Sequence, residues 1–508
     1  MLNEFCAYGG ATVTTAEALA EALAIKAKIL STFIARALDD DGAVHAATGR
    51  FDFNGNGDSE LRRQFVSIRE MLLRNLKTDE FADLYAQTIA YGMFAARWND
   101  PSPHDFKRGH AAELIPRSNP FLRNLFGYVA GVNLDRRILW LVEALADILR
   151  ATDLHTVLAG SENPVIHFYE TFLSQYNPKI RKNRGVWYTP EPVVKFMVRA
   201  ADELLQAEFQ SGLEDNETMD LSDADKTTPK TSGAKNKVHK VQILDPATGT
   251  GAFLAEIVKQ VQAKVPAGIW PDYVQRHLIP RLHGFELLMA PYTMAHLTVA
   301  TLLEKSGAKP ESRLRIYLTN ALEGDNPVVP ELPFANWISQ EANMASQVKR
   351  HTPVMLVIGN PPYSATSANT FDWIGELVAD YKIIDGDKLD EKNSKWLQDD
   401  YVKFIRLGEW LLERNETGIL AYINNHSLLE NLTFRGMRRR LLLVFDKNLF
   451  LICMETPRKM SFERQSMTKT FSISNKGYPL IFLSKREKSA AIMRKYIIMK
   501  FLVTVKRN

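Results

Sequence analysis

Ile243-Leu-Asp-Pro-Ala-Thr-Gly-Thr-Gly-Ala-Phe-Leu254 reads as a short buried strand that stops at Asp245, turns through Gly249 and Gly251, and enters a helix. An apolar strand ending in a carboxylate, followed by glycines at a helix start, is how an open α/β sheet forms a ligand crevice at its strand ends. The glycines let backbone approach a ligand closely. Their spacing also excludes two ligand classes. A dinucleotide fingerprint needs a third glycine where Leu254 stands, and a phosphate-cradling P-loop needs a Gly-Lys-Ser/Thr that occurs nowhere in the chain. A phosphate-free nucleoside is therefore the favoured ligand, with an ordinary strand-to-helix turn as the plainer alternative.

On either side of this loop, short β-rich runs alternate with helical ones. Val241 to Leu244 precedes a helix over Ala252 to Val265; Arg281 to Phe285 precedes one over Met289 to Lys305. Further strands are predicted at Arg315 to Leu318, Val354 to Ile358 and Ile419 to Ile423, with a helix over Asp400 to Arg414. Alternation of this kind with continuously apolar strands predicts a doubly wound parallel sheet. Upstream, residues 14 to 210 carry helical periodicity, with Thr14 and Glu17 as a capping box ahead of an Ala/Leu-rich stretch reaching Leu38. Leu61 to Leu76, Phe81 to Trp98 and Leu134 to Thr152 continue the pattern, and their aromatics, Phe81, Tyr85, Tyr91 and Phe94, are read as core. Between Ser211 and Lys240 apolar residues give way to Asp, Glu, Thr, Ser, Asn and Lys, which predicts a solvated loop.

A second segment is more specific. Val354-Met-Leu-Val-Ile-Gly-Asn-Pro-Pro-Tyr363 drives an apolar strand into Asn360-Pro361-Pro362-Tyr363, and the double proline cannot continue a sheet. A nitrogen conjugated to a ring or a carbonyl is a poor nucleophile because its lone pair is delocalised. The Asn360 side-chain oxygen and the Pro361 carbonyl would accept its two N–H bonds and favour a pyramidal nitrogen as it attacks. Tyr363 would stack on a planar substrate. An Asn-capped loop with a buried tyrosine is the bland reading of the same four residues.

Together the two segments resemble amino-methyltransferases that use S-adenosylmethionine. Arg184-Gly-Val-Trp-Tyr-Thr-Pro-Glu-Pro-Val-Val194 resembles the cofactor-flanking motif of γ-class DNA adenine-N6 methyltransferases. The wider context, including Phe81 to Trp98, Ala111-Ala-Glu-Leu-Ile115, Asn119-Pro-Phe-Leu122 and Lys395-Trp-Leu-Gln-Asp-Asp-Tyr-Val-Lys-Phe404, is similar to restriction-modification polypeptides of types IIG and ISP. The resemblance covers nearly all of residues 14 to 450. It implies a Rossmann-like α/β methyltransferase sheet preceded by an all-helical domain. It places Asp245, Pro246, Ala247, Gly249, Gly251 and Phe253 at the cofactor, with Glu286 on its ribose hydroxyls. Asn320, Ala321 and Leu322 would read its adenine ring, and Thr189 and Pro190 would cover it from the side. The implied catalytic residues are Asn360, Pro361, Pro362 and Tyr363, and the implied reaction moves the sulfonium methyl to N6 of an adenine flipped from double-stranded DNA. Protein N5-glutamine methylation and a non-catalytic remnant are the alternatives.

The expected division is a helical coupling domain over 1–175, a methyltransferase domain over 176–450 with its polar loop at 210–240, and a basic tail over 451–508. The chain has 508 residues with 63 Lys/Arg and 59 Asp/Glu, a net +4. From Leu451 to Asn508 there are thirteen Lys/Arg against three Asp/Glu, so the rest of the chain is net acidic. Read with a one-base frame shift, Cys453-Met-Glu-Thr456 can encode His-Gly-Asn. The stretch from Ser466 to Pro479, shifted the same way, can encode a run resembling a strand that the family carries. The expectation is that residues from about Leu451 are out of frame, that the sheet lacks its last strands, and that no recognition domain follows. Two cysteines, Cys6 and Cys453, fit a reducing compartment and build no four-ligand metal site. With no membrane span and no signal peptide in the sequence, a cytoplasmic protein is expected, and no metal. Any nuclease or recognition function would come from a separate polypeptide.

Overall fold

The computed structural model describes residues 13–48, 59–73, 75–101, 105–159, 164–176, 189–220, 237–324, 333–364, 367, 369–389, 394–415, 417–454, 477–485 and 495–501. The longer helices are α1 (Ala16–Thr48), α2 (Glu60–Met71), α3 (Thr78–Trp98), α4 (Pro120–Ala130), α5 (Arg136–Arg150), α6 (Pro164–Tyr176), α7 (Glu191–Phe209), α8 (Ala252–Lys264), α9 (Met289–Lys305), α10 (Pro333–His351), α11 (Asp372–Ala379), α12 (Asp400–Asn415) and α13 (Arg435–Val444). The strands are β1 (Thr218–Asp220), β2 (Lys237–His239), β3 (Gln242–Asp245), β4 (Leu282–Glu286), β5 (Arg315–Leu318), β6 (Val354–Gly359), β7 (Ile383–Ile384), β8 (Asp387–Lys388), β9 (Gly418–Ile423), β10 (Lys447–Met454), β11 (Gly477–Lys485) and β12 (Lys495–Phe501). No described helix is long and apolar enough to cross a membrane, and no described cluster of His, Cys, Asp or Glu has the grouping of a metal site.

The chain forms two compact units. One comprises Met1–Tyr188, Ala247–Ala321 and Asp325–Arg350; the other comprises Thr189–Pro246, Leu322–Gly324 and His351–Asn508.

In the first unit α3 is the central helix. It is buried from Ala86 to Trp98 without a polar face, as a helix packed on all sides must be. It packs on α1, α5 and α9. Close approach is sharpest at Gly92, where a Cβ would lie 2.0 Å from the Phe126 ring. Phe94 stacks on Phe168 with ring centroids 4.0 Å apart. Some of its buried polar groups are paired: Ser31 Oγ and Tyr176 OH both donate to Asp83 Oδ1, at 2.7 and 2.8 Å. The buried Arg97 donates to the Leu149 and Thr152 carbonyls at the end of α5, where orphan carbonyls attract a cation. The expected Thr14 capping box is shifted by one residue. Thr15 caps α1, its Oγ1 accepting from Ala18 N at 3.2 Å. The same unit carries the parallel pair β4 and β5.

In the second unit β3, β6 and β9 are parallel neighbours, and every residue of β6 and β9 is buried. Helix α12 packs on β6 and β9, and α7 packs on β9 and β11. Two expectations are corrected here. The region expected to be loop between Ser211 and Lys240 contains the antiparallel pair β1 and β2, tied by Lys240 N to the Glu217 carbonyl at 2.9 Å. The sheet also does not stop short. Strand β11 runs antiparallel between β9 and β10, and β12 pairs parallel with β10. The physical reason is composition: Tyr478-Pro-Leu-Ile-Phe-Leu483 is an apolar, aromatic run of high strand propensity, and a backbone ladder accepts such a run whatever its origin.

Candidate active site

In the second unit, β6 carries the chain through six buried residues and releases it at Asn360, which is half-buried. Pro361 is buried, and Pro362 and Tyr363 are half-buried. The Asn360 amide is held at both ends. Its Nδ2 donates to Thr189 Oγ1 at 3.0 Å, and its Oδ1 accepts from Tyr363 OH at 3.2 Å. An amide oxygen has two lone pairs, so Oδ1 retains one for an incoming N–H. The structure thus joins Thr189, expected beside the cofactor, to the expected catalytic turn. Thr189 is half-buried and Pro190, which precedes α7, is exposed; residues 184–188 of the same motif lie outside the described residues.

Asp245 ends β3 fully buried, and Pro246 after it is buried. A Cβ on Gly359 would lie 2.7 Å from Asp245 Oδ1, so the residue before Asn360 must be glycine for that carboxylate to lie against β6. Burial pushes the Tyr422 hydroxyl on β9 well up, and the Asp245 charge adds to the effect. Leu322, the last of the expected adenine-reading residues, is buried in this unit.

In the first unit, Thr248 N donates to the Phe285 carbonyl at 3.0 Å, and Gly249 N donates to Glu286 Oε2 at 2.8 Å. Glu286 Oε1 accepts from Leu288 N at 2.9 Å. Burial raises the Glu286 carboxyl to about 7, with the Leu288 and Gly249 N–H donors pulling the other way. Gly249 has φ 55° and Gly251 φ 84°, conformations that side chains resist. A Cβ on Gly249 would meet nothing within 4 Å, whereas one on Gly251 would press on the Ala295 backbone at 3.1 Å. The first glycine leaves backbone open to a ligand; the second lets the loop pack on α9. Ala247 is half-buried and Phe253 buried in the first turn of α8. Asn320 and Ala321 are buried after β5, and the Asn320 carbonyl accepts from the buried Lys349 Nζ at 3.1 Å.

These groups suit a nucleoside with a cationic sulfonium. Glu286 ends β4 with a carboxyl group whose remaining acceptor capacity suits a ribose hydroxyl, and Gly249 presents open backbone beside it. Gly359, Thr248 and Lys349 were not singled out from the sequence as functional residues. Only Gly359 carried a signal there, as the small residue between an apolar strand and the double proline.

Residues 161–398 match the family model described as N-6 DNA Methylase. None of the curated proteins compared matches the chain. Among solved structures, the chain is similar to that of a DrdV–DNA complex, at 22% identity and TM-score 0.62, covering 99% of this chain and 44% of that one. It is also similar to a nuclease-deletion mutant of the Type ISP restriction-modification enzyme LlaGI in complex with a DNA substrate mimic, at 16% identity and TM-score 0.64, covering 99% and 37%. The ATP-dependent Type ISP enzyme LlaBIII bound to DNA matches at 16% identity and TM-score 0.65, covering 94% and 30%. The chain therefore spans less than half the length of these proteins. Residues 161–398 are thus similar to N-6 DNA methylases, and the helical N-terminal region with its parallel strands gives an α/β methyltransferase fold.

Proposed function

We propose that this chain is the methyltransferase part of a restriction-modification system, transferring methyl from S-adenosylmethionine to N6 of adenine in double-stranded DNA. The observation that carries the reading is the Asn360–Tyr363 turn at the end of β6, with the Asn360 amide oriented by Thr189 and Tyr363. When bound, S-adenosylmethionine supplies an electrophilic methyl group on sulfur; Gly249, Gly251 and Glu286 are the residues that would hold it. Asn360 Oδ1 and the Pro361 carbonyl would accept the two N–H bonds of the target amine, so that its lone pair points at the methyl group. Such preorganised acceptors require no strong base. The Tyr363 ring offers a π-face to a flipped base and offsets part of the cost of unstacking. The match of residues 161–398 to a DNA methylase model favours DNA over protein glutamine as acceptor.

The test is tritiated-methyl transfer to unmethylated genomic DNA, run beside cofactor binding by calorimetry. Asn360→Ala should abolish transfer and leave cofactor affinity within about threefold, because the main loss is the acceptor for the target nitrogen. Full transfer by that variant would sink the mechanism. Cofactor binding without transfer, by the chain alone and with added subunits, would favour a non-catalytic remnant.

A further inference from the structure

The Asn360–Tyr363 turn is gripped from behind by the start of α12. Ser364, the residue after Tyr363, donates its N–H to Asp399 Oδ1 at 2.9 Å. The Asp399 carbonyl accepts the first helical bonds of α12, from Val402 N at 3.1 Å and Lys403 N at 3.3 Å, so this carboxylate stands on a rigid helix end. At the next residue, Asp400 Oδ1 accepts from Ser367 Oγ at 2.5 Å and Asn369 Nδ2 at 3.0 Å, and one turn on Lys403 Nζ donates to Ser367 Oγ at 2.9 Å and the Asn369 carbonyl at 2.5 Å. Asp399, Asp400 and Lys403 are all buried, with 8%, 6% and 1% of their surface exposed. Burial pushes both carboxyls upward and the Lys403 ammonium downward; the hydrogen-bond donors oppose the rise of the carboxyls, while the Asp400 charge adds to that of Asp399. Between these anchors, the Tyr401 ring backs the Tyr363 ring, with centroids 5.9 Å apart, and rests in turn on Phe434 at 6.1 Å. The Tyr401 hydroxyl is buried with no hydrogen-bond partner among the described residues, so the ring is what this residue contributes.

We propose that Asp399 and Tyr401 are positioning residues for methyl transfer: Asp399 fixes the exit of the catalytic turn through Ser364, and Tyr401 sets the plane of the Tyr363 ring. Asp400 and Lys403 hold Ser367 and Asn369 so that the grip does not slip along the chain. The assignment rests on the methyltransferase reading above. A turn displaced by about 1 Å misaligns the acceptors on the target nitrogen and costs about 100-fold in rate without touching the cofactor.

The experiment uses the full chain, with S-adenosylmethionine and unmethylated DNA as probes. Asp399→Ala should lower kcat about 100-fold while cofactor affinity stays within about threefold. Asp399→Asn, which keeps an acceptor oxygen for Ser364, should recover most of that loss. Tyr401→Phe keeps the ring and should fall far less than Tyr401→Ala. Equal losses in cofactor affinity and turnover, or no recovery in the Asn and Phe variants, would overturn the assignment in favour of a merely structural role. Hydrogen exchange of peptides containing Ser364 separates the two proposals. If the wild-type chain transfers no methyl group, the proposed function fails. The grip is then decided by whether those peptides are protected in the wild type and exposed in Asp399→Ala, and fast exchange in the wild type would overturn it.

Discussion

Glu286 illustrates what a single residue contributes beyond its position at a strand end. Its carboxyl is held at about 7 by burial, so at neutral pH it is only partly ionised in the free protein. A cationic nucleoside on its oxygens favours the charged form, so binding at or below that pH releases a proton. Cofactor affinity is expected to fall about tenfold as pH drops from about 8 to about 6, and Glu286→Gln should bind weakly with a flat pH profile. Calorimetry in buffers of different ionisation enthalpy measures both the affinity and the proton released; a pH-independent affinity in the wild type would refute the assignment. At this scale the sequence was legible wherever a rare residue combination sits in one run. Asn360 to Tyr363 needs no partner to be noticed. Thr189 was expected beside the cofactor, but its bond to Asn360 spans 171 positions and no local pattern encodes it. Lys349 was missed for the same reason, since its contact with Asn320 is made only by folding.

Among the elements, those with clean periodicity were readable, and helix α12 was predicted despite its buried charges. Strand β5 and helix α9 lie where the alternation places them. Helix α10 was not anticipated. Its buried side includes Ile338, Ala342 and Ala345, but also Ser339, Glu341, Ser346 and Lys349, which break the apolar stripe. Glu341 is buried because Arg313 pairs with it at 2.5 Å, Leu318 N donates to it at 3.1 Å, and Tyr292 OH lies within 3.4 Å. Helix α12 uses the same device more heavily. Its fully buried Glu409 accepts from Tyr381 OH at 2.7 Å and from Arg440 Nε on α13, while Arg406 lies 3.6 Å away and also pairs with Asp380 and Glu413. Removing the central anion leaves the buried Tyr381 hydroxyl without its acceptor, and leaves Arg406, which is 3% exposed, with only the part-exposed Asp380 and Glu413 as counter-charges. Glu409→Ala should therefore destabilise the chain by about 3–5 kcal/mol, read as a lower urea midpoint. A shift equivalent to under about 1 kcal/mol, the range of a surface pair, would show that the cluster is not acting as one network.

At the scale of the molecule, the parallel strands and the helical N-terminal region followed from periodicity, whereas the far end of the sheet did not. The reading of residues from Leu451 as out of frame concerns the gene, and the coding DNA tests it: a single-base shift there must open a long frame carrying the expected strand. Whatever its origin, the tail covers β9, whose residues are buried along their whole length. Removing residues from Lys447 onward should leave that apolar edge unpaired and drive the chain into aggregates, detectable by light scattering at micromolar concentration. A monodisperse, soluble product would show that β9 needs no cover. The order of these strands also has a consequence for synthesis. Because β11 inserts between β9 and β10, the strand that closes the gap is made after both of its neighbours. While the ribosome is still translating the stretch before Gly477, β9 and β10 have no shared partner, and local helices form long before this non-local pairing can. The nascent chain therefore passes through a half-built sheet with a sticky margin, and the interval until Lys485 clears the exit tunnel is when a chaperone would matter most.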